Sequence, residues 1–169
     1  MMPLIAWAAL IPCGGEVRAE RKSLFDGETF NGWNGDTKKT WRIENGAITA
    51  GSLARPAPRN EFLTTDKEFE NFELRLKFKI KGDGRVNAGV QFRTRRIPNH
   101  YEVRGFQADI GPTVDGHLYD ESRRRRMLAS PEPETLKRAQ AALPADGWQT
   151  QFRGQSPTLL GLTHRRSER

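Results

Sequence analysis

A strict two-residue alternation constrains this chain more than any other feature. Phe72, Leu74, Leu76, Phe78 and Ile80 fall on one side of an extended backbone, and Glu73, Arg75, Lys77, Lys79 and Lys81 fall on the other. A β-strand with one face on a core and one in water satisfies that pattern, because successive side chains of a strand point to opposite faces. Lys81-Gly82-Asp83-Gly84 then reads as a turn, after which Val86, Ala88, Val90 and Phe92 alternate with Asn87, Gly89, Gln91 and Arg93. The two runs are expected to pair as a hairpin.

Shorter strands surround them. Asn45-Gly46 joins residues 40–43 to 47–50 as a hairpin with a type I′ turn, and residues 61–65 make another short strand. After Pro98-Asn99, Tyr101 and Val103 oppose His100, Glu102 and Arg104; beyond Gly105, Phe106, Ala108 and Ile110 oppose Gln107 and Asp109. A lone glycine at a change of phase predicts a bulge or break there. One helix is expected over residues 132–143, entered through Pro131 and Pro133, with Leu136, Ala139 and Leu143 on one face and Pro144 as its stop. It lies in an insertion. Short strands without helices between them predict an antiparallel β-sandwich.

Charge and cysteine usage exclude several partners. The net charge of +7 invites a polyanion, yet the run Arg123-Arg124-Arg125-Arg126 carries +4 of it and residues 147–169 carry +3, so the remainder is neutral. No aromatic side chain interleaves the arginine run as a nucleic-acid platform requires, so nucleic acid is not the expected partner. The single cysteine, Cys13, makes neither an internal disulfide nor a zinc site of cysteine pairs. Residues 4–11 are apolar but far short of the roughly 20 residues that cross a bilayer. With Pro-Cys-Gly-Gly and Val17-Arg18-Ala19 behind them, they read as a signal peptide over residues 1–19, removed to leave a secreted or periplasmic protein with no membrane attachment.

The wet face of the later strands carries the chemistry. It gathers Asn87, Gln91 and Arg93, then Glu102, Gln107 and Asp109, a mixture of amides, one guanidinium and carboxylates that suits sugar hydroxyls and a carbonyl. Gly89 is expected to leave room for a ligand above the sheet. The competing reading is an ordinary solvated face with an Arg93–Glu102 pair. His100 and His117 are the histidines of this body, and loop histidines are more often structural than catalytic. There is no Gly-x-Ser-x-Gly, phosphate-binding glycine loop or His-Glu-x-x-His.

A series of motifs resembles a known family. Ser23-Leu24-Phe25-Asp26-Gly27-Glu28-Thr29-Phe30-Asn31-Gly32-Trp33 is followed by Trp41-Arg42-Ile43-Glu44-Asn45-Gly46-Ala47-Ile48 and Phe62-Leu63. Then come Asn71-Phe72-Glu73-Leu74-Arg75-Leu76-Lys77-Phe78, Asn87-Ala88-Gly89-Val90-Gln91-Phe92-Arg93, His100-Tyr101-Glu102-Val103 and Gly116-His117-Leu118-Tyr119-Asp120-Glu121. In this order they resemble the 3-keto-disaccharide hydrolase domain family over residues 23–148. The resemblance implies an all-β, concanavalin-like antiparallel jelly roll and action on glycosides oxidised at C3, with a carbohydrate as partner. A 3-keto group acidifies the C2 hydrogen, so a base can remove it and expel the C1 substituent, after which water adds.

By position, Glu102 and Asp109 are the expected acid/base pair and His100 a second candidate base. Asn87, Gln91, Arg93, Tyr101, Gln107 and Tyr119 are expected to bind the sugar. No cofactor is fixed, and a divalent metal in place of a cation is left open. Hydrolysis of an unoxidised sugar by two carboxylates would use the same residues. A non-catalytic sugar-binding module is the alternative, with Tyr101 and Trp33 as its platforms. Residues 149–169 show no clean alternation and depart from the family pattern. They are expected to be an Arg-rich tail outside the sandwich, its last strands missing and the fragment inactive if the fold depends on them.

Overall fold

The computed structural model describes residues 21–54, 57, 59–70, 72–83 and 85–141, with backbone alone at 136, 139, 140, 149–154 and 158–165. The expected signal peptide, the apolar helix face and the end of the chain after residue 165 lie outside the described residues. Eleven described strands pair only in antiparallel fashion: β1 (Trp33–Asn34), β2 (Trp41–Glu44), β3 (Ala47–Ala50), β4 (Glu61–Phe69), β5 (Phe72–Phe78), β6 (Asn87–Arg96), β7 (Val103–Ile110), β8 (Leu118–Glu121), β9 (Met127–Ala129), β10 (Gln149–Gly154) and β11 (Thr158–Arg165). The described helix, α1 (Pro133–Ala141), falls where the prolines place it. This is the all-β, antiparallel architecture of a jelly-roll sandwich.

The main sheet has seven strands in the order β1-β4-β11-β6-β7-β8-β9, and β5 with β10, and β2 with β3, form two-stranded sheets. The β2–β3 hairpin turns through Asn45 and Gly46 at φ 51° and 72°, the left-handed pair of a type I′ turn. Phe62 and Leu63 of β4, Val90 of β6 and Val103 of β7 form much of the buried apolar core.

Three expectations are corrected. The alternating runs β5 and β6 do not form a hairpin: β5 pairs with β10, β6 with β7 and β11, and the turn between them carries the chain from one sheet to another. Alternation reports which face of a strand is apolar; in a sandwich both sheets turn such a face inward, so it does not name the neighbour. Second, the bulge is not in the strand that contains Gly105. β7 is continuous, and its partner β6 places both Arg93 and Thr94 between the pairs Phe92–Phe106 and Arg95–Arg104, opposite Gly105 alone. Arg93 takes φ 48°, and a Cβ at position 105 would collide with Thr94 Oγ1 and stand 2.6 Å from the Arg93 carbonyl oxygen. Third, residues 149–169 were expected outside the sandwich, yet β10 and β11 are strands. β11 lies inside the main sheet between β4 and β6, with Gly161 opposite Thr64 of β4 on one side and Gln91 of β6 on the other.

Candidate active site

Pairing of β6, β7 and β8 builds one polar sheet face. Gln91 stands opposite Gln107, Gly89 opposite Asp109, Gln107 opposite Tyr119 and Gly105 opposite Glu121. Directly opposed residues share a face, so these groups line one side, while Ala88, Val90, Phe92, Phe106, Ala108 and Leu118 line the other. The residues at the middle of the polar face are nonetheless out of solvent: Gln91 and Gln107 have no exposure and Asp109 has 2%.

Their side chains form a directed chain. Gln91 Nε2 donates to Gln107 Oε1 at 2.6 Å, and Gln107 Nε2 donates to Asp109 Oδ1. The Thr94 hydroxyl, 3.0 Å from both Gln91 Oε1 and the Phe92 carbonyl, can give its one proton to the amide. The bulge makes this contact by turning Thr94 onto the face that Arg93, exposed at its left-handed corner, leaves. Each amide thus accepts from one side and donates toward Asp109, which orients the carboxylate and avoids the roughly 1–3 kcal/mol cost of a buried unpaired polar group.

Gly89 serves this chain. A Cβ there would stand 2.5 Å from Gln107 Cγ and 2.6 Å from its Cδ, so the space above the glycine holds the Gln107 side chain and not, as the sequence suggests, a ligand.

At the Asp109 end lie two unmet polar atoms. The Asp109 N–H donates to the His117 carbonyl at 2.9 Å and the Gly116 N–H to the Asp109 carbonyl at 3.0 Å, so the ladder carried one step past Ala108–Leu118 brings His117 beside Asp109. His117 Nδ1 and Asn87 Oδ1 are buried with no hydrogen-bond partner among the described residues. Asn87 lies on β6 two residues before Gly89, diagonal to Asp109.

Other expected site residues gather elsewhere. Glu102 and Asp109 are not brought together: they stand at opposite ends and on opposite faces of β7, about 23 Å apart at the rise of a strand, beyond the roughly 9.5 Å that separates paired catalytic carboxylates. Glu102 accepts from Ser122 Oγ at 2.7 Å and faces Arg125 Nη2 at 3.4 Å. His100 Nδ1 accepts from the Glu102 N–H, its ring stacks on Tyr101 at 4.4 Å, and the Arg59 guanidinium lies 4.1 Å from the Tyr101 ring centre. Trp33 is tied by Nε1 to the Leu24 carbonyl at 2.8 Å.

The arginine run closes the turn between β8 and β9. Arg123 and Arg124 each reach Asp120 at 2.7 Å, and Arg123 also lies 4.5 Å from the centre of the Phe106 ring. Burial pushes the Asp120 carboxyl up, but the hydrogen bonds from both guanidinium groups outweigh it and hold it below its usual range.

Comparison with known proteins fits this arrangement. Residues 20–152 match the family described as a 3-keto-alpha-glucoside-1,2-lyase-like domain. The chain belongs to that family. The match includes β6, β7 and β8, and every residue from Asn87 to Glu121 named above, but not β11. The chain is also similar to a 3-keto-disaccharide hydrolase of Bacteroides thetaiotaomicron, 32% identical over 83 residues, which is 44% of this chain and 28% of the relative. The similarity thus spans little more than a quarter of that relative's length.

In this lyase-like domain the sequence pattern conceals Thr94, His117 and Glu121. Thr94 changes face through a bulge that no alternation predicts, and Glu121, 4% exposed, ends a β8 too short to show a period. Among the described residues no three His, Cys, Asp or Glu side chains converge as metal ligands, so the open question of a divalent metal finds no donor set there. No helix among the described residues is long and apolar enough to cross a membrane.

Proposed function

We propose that this domain cleaves 3-keto-glycosides by elimination across C1 and C2, with Asp109 as base and His117 as proton donor. The reading rests on one observation: a buried amide chain ends on Asp109 beside two unpartnered polar atoms, His117 Nδ1 and Asn87 Oδ1. An oriented carboxylate next to unmet donor and acceptor capacity is what a substrate completes. Membership of a lyase-like family and similarity to a named 3-keto-disaccharide hydrolase support the choice of substrate class.

The step balances without further reagents. Asp109 takes the C2 proton made acidic by the neighbouring ketone; the C–H electron pair becomes the C1–C2 double bond as the C1–O bond breaks. The leaving oxygen receives a proton from His117. Tyr119, across from Gln107 on the same face, offers an O–H to the charge that develops on the ketone oxygen. Asn87 Oδ1 accepts from a sugar hydroxyl. Water then adds across the double bond, and the sum is hydrolysis.

A chromogenic 3-keto-glucoside tests the reading with the full chain. Asp109→Asn is expected to lower turnover by about 100-fold or more and His117→Gln by a comparable factor, the ordinary range of general acid–base catalysis. Wild-type turnover in both variants overturns the assignment, and tight binding by the unaltered protein without turnover makes the domain a sugar-binding module.

Export belongs to the same proposal, supported by residues 4–11 and the small residues before Glu20. An extracytoplasmic protein starting near Glu20 is expected on N-terminal sequencing; a cytoplasmic protein that keeps residues 4–11 overturns it.

A further inference from the structure

Away from the polar face, the main sheet sets two like charges against each other. Arg95 of β6 stands directly opposite Arg104 of β7, just beyond the bulge, and both residues are exposed. Residues opposed in this way carry their Cβ atoms about 4.5–5.5 Å apart on one face, and two cations so placed repel each other. Neither arginine has a hydrogen-bond or ion-pair partner among the described residues.

The carboxylates on their side of the sheet are already engaged. Arg104 shares a face with Glu102 two residues before it and Phe106 two residues after it, and Asp120 lies opposite Phe106. Glu102 accepts from Ser122 Oγ at 2.7 Å and faces Arg125 at 3.4 Å, and Asp120 holds Arg123 and Arg124, each at 2.7 Å. β11, which flanks β6 along its other edge, has no Asp or Glu in its sequence, and neither has β10. Backbone register thus forces the two guanidinium groups together, and these strands offer no further acid on that face to answer them.

We infer that Arg95 and Arg104 clamp one dianionic phosphate group, carried by a soluble sugar phosphate or by a lipid headgroup. Each guanidinium presents a planar fork of donors that matches two phosphate oxygens, and side chains rooted this close reach the same anion. A phosphate monoester carries about −1.5 to −2 at pH 7, enough to neutralise both cations, whereas one carboxylate leaves a charge uncancelled. Occupancy replaces the repulsion with two charge-assisted contacts to a shared anion. The clamp lies five residues from Asp109 along β7 and on the opposite face, so it stands independently of the elimination chemistry.

Thermal melts and isothermal titration of the full chain with inorganic phosphate, at constant ionic strength against sodium chloride, test the clamp. Phosphate is expected to bind saturably and to raise the melting temperature above that in chloride, since a ligand of the folded state stabilises it. Arg95→Gln and Arg104→Gln are each expected to weaken phosphate binding by about tenfold or more, the scale of a lost charge-assisted contact. Without phosphate, each variant is expected to melt no lower than the parent, because a repulsion has been removed. Lys38→Gln with Lys39→Gln, which takes two cations from another exposed segment, is expected to leave phosphate affinity nearly unchanged. Glucose 6-phosphate and phosphatidate vesicles separate the two sources: binding that falls in both arginine variants marks the carrier the clamp receives. Phosphate that acts no differently from chloride overturns the proposal, as does an equal loss in the lysine variant. So does binding of both carriers that neither arginine variant alters.

Discussion

The side chain of Gln107 lies over the bare Cα of Gly89 on the neighbouring strand, in the space a Cβ would take. The amide chain that reaches Asp109 depends on this vacancy. Gly89→Ala is therefore expected to displace Gln107, cost about 1–3 kcal/mol as an overpacked site, and cut turnover together with stability. Thermal melts and turnover of a 3-keto-glucoside on the same preparation check it; an unchanged melting temperature would refute the close approach.

The two glutamines are expected to behave as a unit. Gln91→Leu strands the Gln107 carbonyl and Gln107→Leu strands the Gln91 amide, each at a cost of about 1–3 kcal/mol. The double variant leaves neither partner unmet, so its loss should fall short of the sum by about 0.5–3 kcal/mol in a double-mutant cycle by denaturant unfolding. Strict additivity would mean that the 2.6 Å contact carries no coupling.

Glu102→Gln is expected to keep near-wild-type turnover. Its carboxylate faces Ser122 and Arg125 far from Asp109, and a Gln oxygen still accepts from Ser122. The lost pair with Arg125, itself well exposed, is a surface contact of about 0–1 kcal/mol. Parallel kinetics of Glu102→Gln and Asp109→Asn decide which end of β7 carries the chemistry, and a silent Asp109→Asn beside a dead Glu102→Gln would reverse the assignment.

Acid should loosen the β8–β9 turn. The Asp120 carboxyl sits below its usual value of 3.8 in the folded chain, so its contribution is fully present above that value and is lost as pH falls through the lower folded value. Asp26 behaves alike: hydrogen bonds from the Thr29 hydroxyl and the Thr29 and Glu28 N–H groups hold it at about 2. Unfolding followed from pH 6 to pH 2 is expected to decline more gently in Asp120→Asn than in the parent. Identical pH slopes would show that Arg123 and Arg124 do not hold the carboxylate.

Arg96 is expected to be intolerant of truncation. Its Nη2 donates to the Asn34 carbonyl at 2.6 Å and the Phe62 carbonyl at 3.0 Å, and its Nη1 to the Tyr101 carbonyl at 3.4 Å, tying β1, β4 and the entry to β7 together. Burial pulls the guanidinium pKa down, with Glu61 acting against that. Arg96→Ala removes a charged donor from three carbonyls, of which Asn34 keeps the Thr64 hydroxyl, and should cost about 2–4 kcal/mol by chemical denaturation, whereas a loss under about 0.5 kcal/mol would place it among ordinary surface residues.

What the sequence discloses and what it hides follow from the range of each interaction. Asn45-Gly46 names its own turn because both φ angles are local, and the Phe72 to Ile80 alternation names a half-buried strand because the period is local too. The partner of β5 is not local, so the expected hairpin with β6 gives way to pairing with β10. Gly105 marks the right level of the sheet for a bulge but the wrong strand, since its missing Cβ makes room for extra residues across the ladder. Leu159-Leu160-Gly161-Leu162 hides a strand for a related reason: backbone pairing on both edges leaves no imprint on side-chain periodicity. At the site, Gln91, Gln107 and Asp109 were legible from alternation, whereas the approach of His117 to Asp109 arises from the turn between β7 and β8.

The position of β11 has a consequence for how the molecule is made. β4 and β6 are never neighbours; each pairs with β11 between them, so the main sheet stays divided into two incomplete halves until that late segment arrives. Synthesis delivers β4 and β6 nearly a hundred and about sixty residues before the strand that joins them, which gives the sheet the distant contacts associated with slow folding. A chain that cannot finish its sheet early remains loose while it is being translated, and during that interval its unpaired edges need shielding from other nascent chains.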